Sequence, residues 1–354
     1  MAALDRNDIF VMAATVGLVG LAGASHFTQA GPLLSFLACT LALAGVAHVI
    51  GEATDQLGNH LSASATGLVQ SAVGSLPELF VCIFSLRAGL VSVVQASLIG
   101  SILANALLVL GLSFVVGGWR HGVLVFNDRT PRMIASLLLL AVSALLLPTL
   151  ANELHLPAAA HEQPLAVVCA VVLLLVFAIM TKAMLEQGQR AVPAEAHARA
   201  HAWPLGVAVA VLLVCAAAAV LVSDWFVEAL EPAIDAFGLS QTFAGLVVVA
   251  IAGNAIENVV GVRLAAAGKA DLAVSVMLTS ALQVAVVIVP VLILVSFGMG
   301  GAAFTLVIPP ILAAALFVSV LVVTVVTVDG EADMVDGAAL MGLYVIIATI
   351  FWWG

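Results

Sequence analysis

Apolar runs of roughly 17–25 residues recur from one end of this 354-residue chain to the other. A helix needs a run of that length to cross the hydrocarbon core of a bilayer, which is about 30 Å thick. Hydrophobic residues make up 64% of the sequence and charged residues only 8%, whereas an average soluble domain carries about 25% charged residues. The sequence therefore predicts an all-α polytopic membrane protein whose solvent is the lipid bilayer.

Cutting the chain at charged, Pro-rich and Gly-rich breaks predicts eleven transmembrane helices. The first run follows Asp5, Arg6 and Asp8 rather than a positively charged segment, so we expect a retained helix and not a cleaved signal peptide. The predicted spans are 9–24, 33–50, 64–86, 91–117, 133–150, 165–184, 205–222, 239–264, 271–297, 303–328 and 336–353.

The positive charges give these spans an orientation, because Lys and Arg collect in cytoplasmic loops. With eleven crossings, only Arg87 lies on the side opposite the N-terminus. We therefore predict a cytoplasmic N-terminus and an external C-terminus, and the short loops favour a prokaryotic inner membrane. The residues on the N-terminal side are Arg6, Arg120, Arg129, Arg132, Lys182, Arg190, Arg199, Arg263 and Lys269.

Composition and motifs exclude several classes of function. A net charge of −10 argues against a nucleic-acid partner, which would select basic surface. The four cysteines lie in apolar runs without CxxC spacing, so neither a disulfide framework nor a zinc site is expected. The sequence contains no HExxH, GxSxG or GxGD motif, so we expect neither an enzyme nor a bound cofactor. A channel and a non-transporting scaffold remain as alternatives to a transporter.

The two halves of the chain repeat each other at an offset of 179 residues. Gly74–Glu78 (GSLPE) falls on Gly253–Glu257 (GNAIE), and the same shift places Ser101 on Ser280. We predict an N-terminal segment (1–32), a first repeat (33–184), a cytoplasmic linker (185–204) and a second repeat (205–354). Each repeat has five helices, an odd number, so the second enters the membrane from the opposite face. Inverted repeats of this kind place substrate sites near the bilayer midplane.

Two acids lie deep inside predicted spans, Glu78 and Glu257, at equivalent places in the repeats. An ionised carboxylate at that depth costs about 2.5–3.5 kcal/mol on insertion scales, so such residues are functional by default. Glycine, proline or asparagine precedes each acid, and breaks there free backbone carbonyls that can line an ion site. Neutral oxygens come from nearby polar side chains: Ser75, Ser101, Asn105, Asn254, Ser280 and Gln283.

Carboxylate, amide and hydroxyl oxygens form the kind of ligand set that Ca²⁺ accepts. The set contains no His or Cys, which disfavours zinc and copper. Burial also penalises the charged form of a carboxylate, so protons would compete with a cation for Glu78 and Glu257. The sequence therefore predicts an antiporter that exchanges Ca²⁺ for H⁺ by alternating access, with Ca²⁺ as its transported substrate.

At these residues the sequence resembles the cation/calcium exchanger superfamily and, within it, the calcium/proton exchangers. The resemblance rests on Gly51–Leu57 (GEATDQL), Gly100–Asn105 (GSILAN), Gly253–Glu257 (GNAIE), Asp271–Ala273 and Asp329–Gly330. It implies an eleven-helix transporter that exports cytosolic Ca²⁺ against an inward proton flow. The two repeat glutamates would be shared ligands and proton carriers.

One motif departs from the proton-driven branch. The first repeat reads Gly74–Leu79 (GSLPEL), which is closer to the sodium/calcium exchangers, so Na⁺-coupled Ca²⁺ exchange or Na⁺/H⁺ exchange on the same fold stays open. Glu52, Asp55 and the acids of loop 329–336 are equally explained by solvated helix ends or by a cation entrance. His48 is expected to be an interfacial histidine.

Overall fold

The structure is a computed structural model that describes residues 5–58, 60, 73–127, 129–190, 203–299 and 304–353. The side chains of 129–130, 183–190 and 255–257 lie outside that description. The elements, in chain order, are α1 (Arg6–Phe27), α2 (Pro32–Gly58), α3 (Leu76–Arg87), α4 (Val91–His121), β1 (Leu124–Val125), α5 (Arg129–Glu153), α6 (Glu162–Arg190), α7 (Leu205–Phe237), α8 (Gln241–Gly253), α9 (Ala255–Ala266), α10 (Ala270–Ser296), α11 (Pro310–Val326), β2 (Glu331–Ala332) and α12 (Met334–Trp352).

The predicted all-helical membrane protein is confirmed. Among the described residues, eight helices are long and apolar enough to cross a bilayer, or nine if the bent pair α8 and α9 counts as one span. One further apolar helix among the described residues is shorter, α11 with 17 residues. Helix α3 has 12 residues and follows residues that are not described. The number eleven therefore stays a prediction.

Three helix boundaries differ clearly from the predicted ones. The second helix was predicted to end at 50, but α2 continues to Gly58, past the apolar run and through Glu52 and Asp55. A helix was predicted from residue 303, but α11 begins at Pro310, because Pro309 and Pro310 disfavour helical backbone before them. The seventh helix was predicted to end at 222, yet α7 continues to Phe237. Its acidic last turns lie beyond the apolar run, and Gly238 ends the helix with a left-handed φ of 62°.

The helices form two compact units, each of which takes residues from both halves of the sequence. Unit 1 comprises Met1–Phe84 with Val176–Gly238, and unit 2 comprises Ser85–Leu175 with Leu239–Gly354. In unit 1, α2 packs along α7 and α1 packs against both. The core between α2 and α7 includes Val46, Ile50 and the ring of Trp203.

Trp203 ties together several segments at one end of unit 1. Its indole N–H donates to Asp8 Oδ2 at 2.8 Å, and its backbone N–H donates to Gln56 Oε1 at 3.1 Å. Its carbonyl accepts from His60 Nε2 at 2.7 Å. At the other end of α1, His26 stacks on Trp225 of α7. These contacts join segments that the predicted alternation of sides places on the same face.

In unit 2 the helices approach closely at glycines, as is common in membranes. A Cβ on Gly111 of α4 would lie 2.8 Å from the Gly337 carbonyl of α12. A Cβ on Gly100 would overlap the Leu246 carbonyl of α8, so these backbones touch. Helix α5 packs on α11, and α9 packs on both α4 and α10.

Loop contacts within unit 2 also follow the predicted sides. β1 pairs antiparallel with β2, with Leu124 opposite Ala332, and Arg132 Nη2 donates to the Val328 carbonyl at 2.7 Å. At the other end, Ser240 Oγ donates to the Phe351 carbonyl at 2.7 Å. These contacts join residues that the prediction places on the same side, while the order of crossings and the cytoplasmic location of the N-terminus stay predictions.

All four cysteines are free thiols, and Cys39, Cys82 and Cys215 are buried as expected, whereas Cys169 is only partly buried. Cys169 of α6 has a specific partner. Pro148 lacks the N–H that would bond to the Ala144 carbonyl within α5, and Cys169 Sγ contacts that carbonyl at 3.8 Å.

The contact at Gly100 generates a testable prediction. Gly100→Ala should lower the thermal stability of the purified protein, because the new Cβ overlaps the Leu246 carbonyl and overpacking costs about 1–3 kcal/mol. Gly342→Ala is the matched control, since a Cβ at Gly342 of α12 meets nothing within 4 Å. Thermal unfolding in detergent measures both variants. Equal melting temperatures would contradict the close approach of α4 and α8.

Candidate cation site

A break in the helical backbone precedes each of the two intramembrane acids. Helix α8 ends at Gly253, Asn254 has non-helical dihedrals of −106° and 14°, and α9 begins at Ala255. The two parts differ in direction by 62°. Glu257 is therefore the third residue of α9, but its side chain lies outside the described residues.

The first repeat has the corresponding break at Ser75, 179 residues earlier. Gly74 is helical, Ser75 is a turn, and α3 begins at Leu76, which makes Glu78 the third residue of that helix. Glu78 is buried, with 7% of its surface exposed. The first turn of a helix stabilises a carboxylate through unpaired backbone N–H groups and the helix dipole. The breaks expected from the sequence are thus present before both acids.

Four of the predicted polar residues form one buried cluster in unit 2. Ser101 and Asn105 come from α4, Asn254 from the break between α8 and α9, and Ser280 from α10. Asn105 Nδ2 donates to Asn254 Oδ1 at 3.3 Å and to Ser280 Oγ at 3.1 Å. Asn254 Nδ2 donates to Ser101 Oγ at 3.0 Å and to the Ala250 carbonyl at 2.9 Å.

These bonds use both amide hydrogens of both asparagines and fix the orientation of each side chain. Asn105 is fully buried, and among the described groups none donates a hydrogen bond to its Oδ1 atom. A buried acceptor without a donor is costly in hydrocarbon unless something else binds it. The cluster therefore uses its amide N–H groups internally and leaves the amide oxygen of Asn105 without a hydrogen bond from the described residues.

π-Helical turns adjoin this cluster in three helices. They span Ala104–Val109 in α4, Ala244–Val249 in α8 and Val284–Ile288 in α10. Asn105 lies in the first of them, and the offset of 179 residues places 105–109 on 284–288. Such turns widen the helix locally and often occur at functional sites.

The structure brings together half of the predicted ligand set. Ser101, Asn105, Asn254 and Ser280 are hydrogen-bonded to one another, whereas Gln283, partly buried at the end of the α-helical part of α10, makes no hydrogen bond with them in the part of the chain described. Ser75 and Glu78 belong to unit 1.

Asn258 is a polar residue that the sequence analysis missed. Its Oδ1 atom is buried, and within the described part of the chain it has no hydrogen-bond partner. The spacing could have identified it, because Asn258 lies four residues after Asn254 and one after Glu257, so it occupies the same region of α9.

The acids outside the spans have mainly structural contacts. Asp333 caps α12 by accepting from Val335 N and Asp336 N, and Asp336 accepts from Asp333 N in return. Glu52 lies within α2 and accepts from Gln56 Nε2 at 3.1 Å. His48 is exposed on the same helix. For Asp333 and Asp336, helix capping accounts for the acidic pattern.

Comparison with known proteins decides the family. Residues 31–185 and 207–353, which cover both predicted repeats, match the family described as sodium/calcium exchanger protein. The chain belongs to the sodium/calcium exchanger family. The resemblance found in the sequence motifs is thereby confirmed.

Relatives within this exchanger family align along nearly their whole length. A protein of Synechocystis sp. named Ca(2+)/H(+) antiporter is 32% identical over 94% of this chain and 94% of its own length. One of the same name from Aphanothece halophytica is 30% identical over 98% of this chain and 97% of its own length. The crystal structure of the Ca²⁺/H⁺ antiporter protein YfkE is 28% identical, covers 98% of this chain and 99% of its own, and superposes with a TM-score of 0.81. These relatives are transporters and not enzymes.

The cluster predicts a different outcome for two buried residues of the same helix. Asn105→Ala should reduce cation exchange by about tenfold or more, since it removes the uncommitted oxygen and both donated hydrogen bonds. Ser113→Ala is the control, because Ser113 is also fully buried on α4 and its Oγ lies outside the cluster. Flux in proteoliposomes, normalised to inserted protein, measures both. Equal losses in the two variants would count against a cation site at Asn105.

Proposed function

We propose that this exchanger is a secondary active antiporter that exports cytosolic Ca²⁺ in exchange for H⁺. The observation that carries the proposal is the nearly full-length match to proteins named Ca(2+)/H(+) antiporter. The oxygen-rich, hydrogen-bonded cluster around Asn105 supports it, because Ca²⁺ prefers neutral and carboxylate oxygens.

In this proposal Glu78 and Glu257 are the charged ligands of the cation. The repeat in the sequence and the third position that each acid occupies in its helix support equivalent roles. Ca²⁺ binds when both carboxylates are ionised, and protonation neutralises them and favours its release. Ser75, Ser101, Asn105, Asn254, Ser280 and Gln283 complete the proposed set as oxygen donors or wall residues.

The proposal also includes the orientation and the cycle. The N-terminus is cytoplasmic and the C-terminus external, as the distribution of Lys and Arg indicates. The two five-helix repeats have inverted topology, and the site opens alternately to each side of the membrane. H⁺ then enters from outside in the half-cycle that follows release of Ca²⁺.

A Na⁺-coupled exchange is the second candidate. The observation that favours it is the string Gly74–Leu79, which resembles that of the sodium/calcium exchangers. The two candidates differ in the ion that must be supplied on the opposite side of the membrane.

Flux driven by a pH gradient separates the two candidates. Vesicles that contain the protein are prepared in Na⁺-free buffer with an acidic lumen, so that protons leave the lumen as Ca²⁺ enters. They should take up Ca²⁺ when this pH gradient is imposed. Uptake should stop when an ionophore collapses the gradient. Uptake that requires Na⁺ and ignores the pH gradient would replace the proposal by the Na⁺-coupled one.

Two substitutions test the proposed ligands. Glu78→Gln and Glu257→Gln should each abolish Ca²⁺ uptake, because an amide preserves the shape but neither ionises nor carries the proton. Glu153→Gln is the control, since Glu153 is exposed at the end of α5. The amount of each variant in the membrane is measured by immunoblot. Normal uptake in either glutamate variant would refute the assignment.

A further inference from the structure

A non-helical segment follows α4 and another follows α10, two of the helices that contribute to the polar cluster in unit 2. Helix α4, which carries Ser101 and Asn105, is followed by residues 124–127, here named the first strap. Helix α10, which carries Ser280, is followed across a gap in the description by residues 304–308, the second strap. Each strap buries a phenylalanine, Phe126 at 5% and Phe304 at 3% exposure.

Side chains from three helices hold the backbone of the second strap. Gln95 Nε2 of α4 donates to the Val307 carbonyl at 2.8 Å. Thr149 Oγ1 of α5 donates to the Leu306 carbonyl at 3.0 Å and accepts from Ile308 N at 3.2 Å. Ser296 Oγ of α10 accepts from Phe304 N at 2.9 Å. Four hydrogen bonds to side chains of three helices therefore hold this strap.

The first strap is held in a comparable way at the other end of the unit. Its residues Leu124 and Val125 pair with β2, and Phe126 N donates to the Gly330 carbonyl at 2.8 Å. Asn127 N donates to Oδ1 of Asp271, the second residue of α10.

The two connections are reciprocal. The strap that follows α4 is tied to the start of α10 through Asp271, and the strap that follows α10 is tied to the start of α4 through Gln95. Gln95 is the fifth residue of α4, and Asp271 the second of α10. Each of the two helices therefore restrains the beginning of the other.

The packing between the second strap and α4 leaves a small space. A small apolar cavity lies between them, lined on one side by Leu98 and Ile99 of α4 and on the other by Leu306 and Ile308. Van der Waals attraction is weaker across a gap, so the hydrogen bonds of Gln95 and Thr149 add to the packing that holds the strap.

We propose that the two straps brace α4 against α10 and thereby set the geometry of the cation site, which makes Gln95, Thr149 and Asp271 positioning residues for exchange. The inference rests on the proposed function, because it concerns the same cluster. The bond from Asn105 to Ser280 joins α4 to α10 directly at 3.1 Å, and a hydrogen bond of this kind weakens when its atoms separate by a few tenths of an ångström. Loosening a strap shifts these helices and weakens cation binding.

Substitutions at Thr149 test the second strap. Thr149→Val keeps the shape but leaves the Leu306 carbonyl and Ile308 N–H without the hydroxyl, whereas Thr149→Ser keeps the hydroxyl. We expect the valine variant to raise the KM for Ca²⁺ by about fivefold or more with a nearly unchanged maximal rate, and the serine variant to resemble the wild type. A uniform fall in maximal rate with unchanged KM would overturn the inference.

Substitutions at Asp271 test the first strap independently. They become the deciding test if Thr149→Val does not accumulate in the membrane. Asp271→Ala removes the acceptor for Asn127 N, and Asp271→Asn keeps an oxygen acceptor. The alanine variant should raise the KM and the asparagine variant should not. Equal KM values for alanine, asparagine and wild type would contradict the brace.

Hydrogen exchange on the full-length protein separates the brace from the proposed function. In Thr149→Val, amide exchange should rise in residues 304–308 and also in the first part of α4, residues 91–100. A rise confined to the strap would overturn the brace. If the wild type does not transport Ca²⁺, the proposed function has failed. Amide hydrogen exchange in these variants still tests whether the strap restrains α4.

Discussion

The bilayer core offers no water for hydrogen bonding, so every buried polar group in this chain must find its partner within the protein. In the polar cluster of unit 2, the amide hydrogen-bond donors are paired, but one acceptor has no donor within the described part of the chain. The amide hydrogens of Asn105 and Asn254 are consumed by side-chain and backbone oxygens, while Asn105 Oδ1 receives no donor from the described residues. Within this cluster the internal pairing therefore leaves the amide oxygen of Asn105 uncommitted. That is the chemistry a hard cation requires.

The backbone also shapes the regions around the two intramembrane acids and the polar cluster. Breaks at Ser75 and Asn254 start new helices at Leu76 and Ala255, so each intramembrane acid falls in a first turn, where unpaired N–H groups stabilise negative charge. π-Helical turns next to the cluster and glycine contacts such as Gly100 with Leu246 bring the backbones of α4 and α8 together. The straps add hydrogen bonds where packing leaves space.

Much of this could be predicted from the sequence, because hydrocarbon makes polar residues conspicuous. The helix breaks before Glu78 and Glu257, the cluster residues Ser101, Asn105, Asn254 and Ser280, and the family followed from local patterns. The π-helical turns and the role of Thr149 could not be predicted, because they depend on contacts between segments distant in the sequence. The start of α11 at Pro310 was missed because an average of hydropathy over a window does not detect the effect of Pro309 and Pro310 on the backbone. Asn258 was missed although its spacing identifies it.

The central claim is that Ca²⁺ and protons compete for the carboxylates of Glu78 and Glu257. Calorimetry of Ca²⁺ binding to the purified protein, repeated near neutral pH in buffers of different ionisation enthalpy, counts the protons released per ion bound. The account predicts a net release of protons that disappears when Glu78 and Glu257 are both replaced by glutamine. Ca²⁺ binding with no proton release, in a protein that transports the ion, would contradict it.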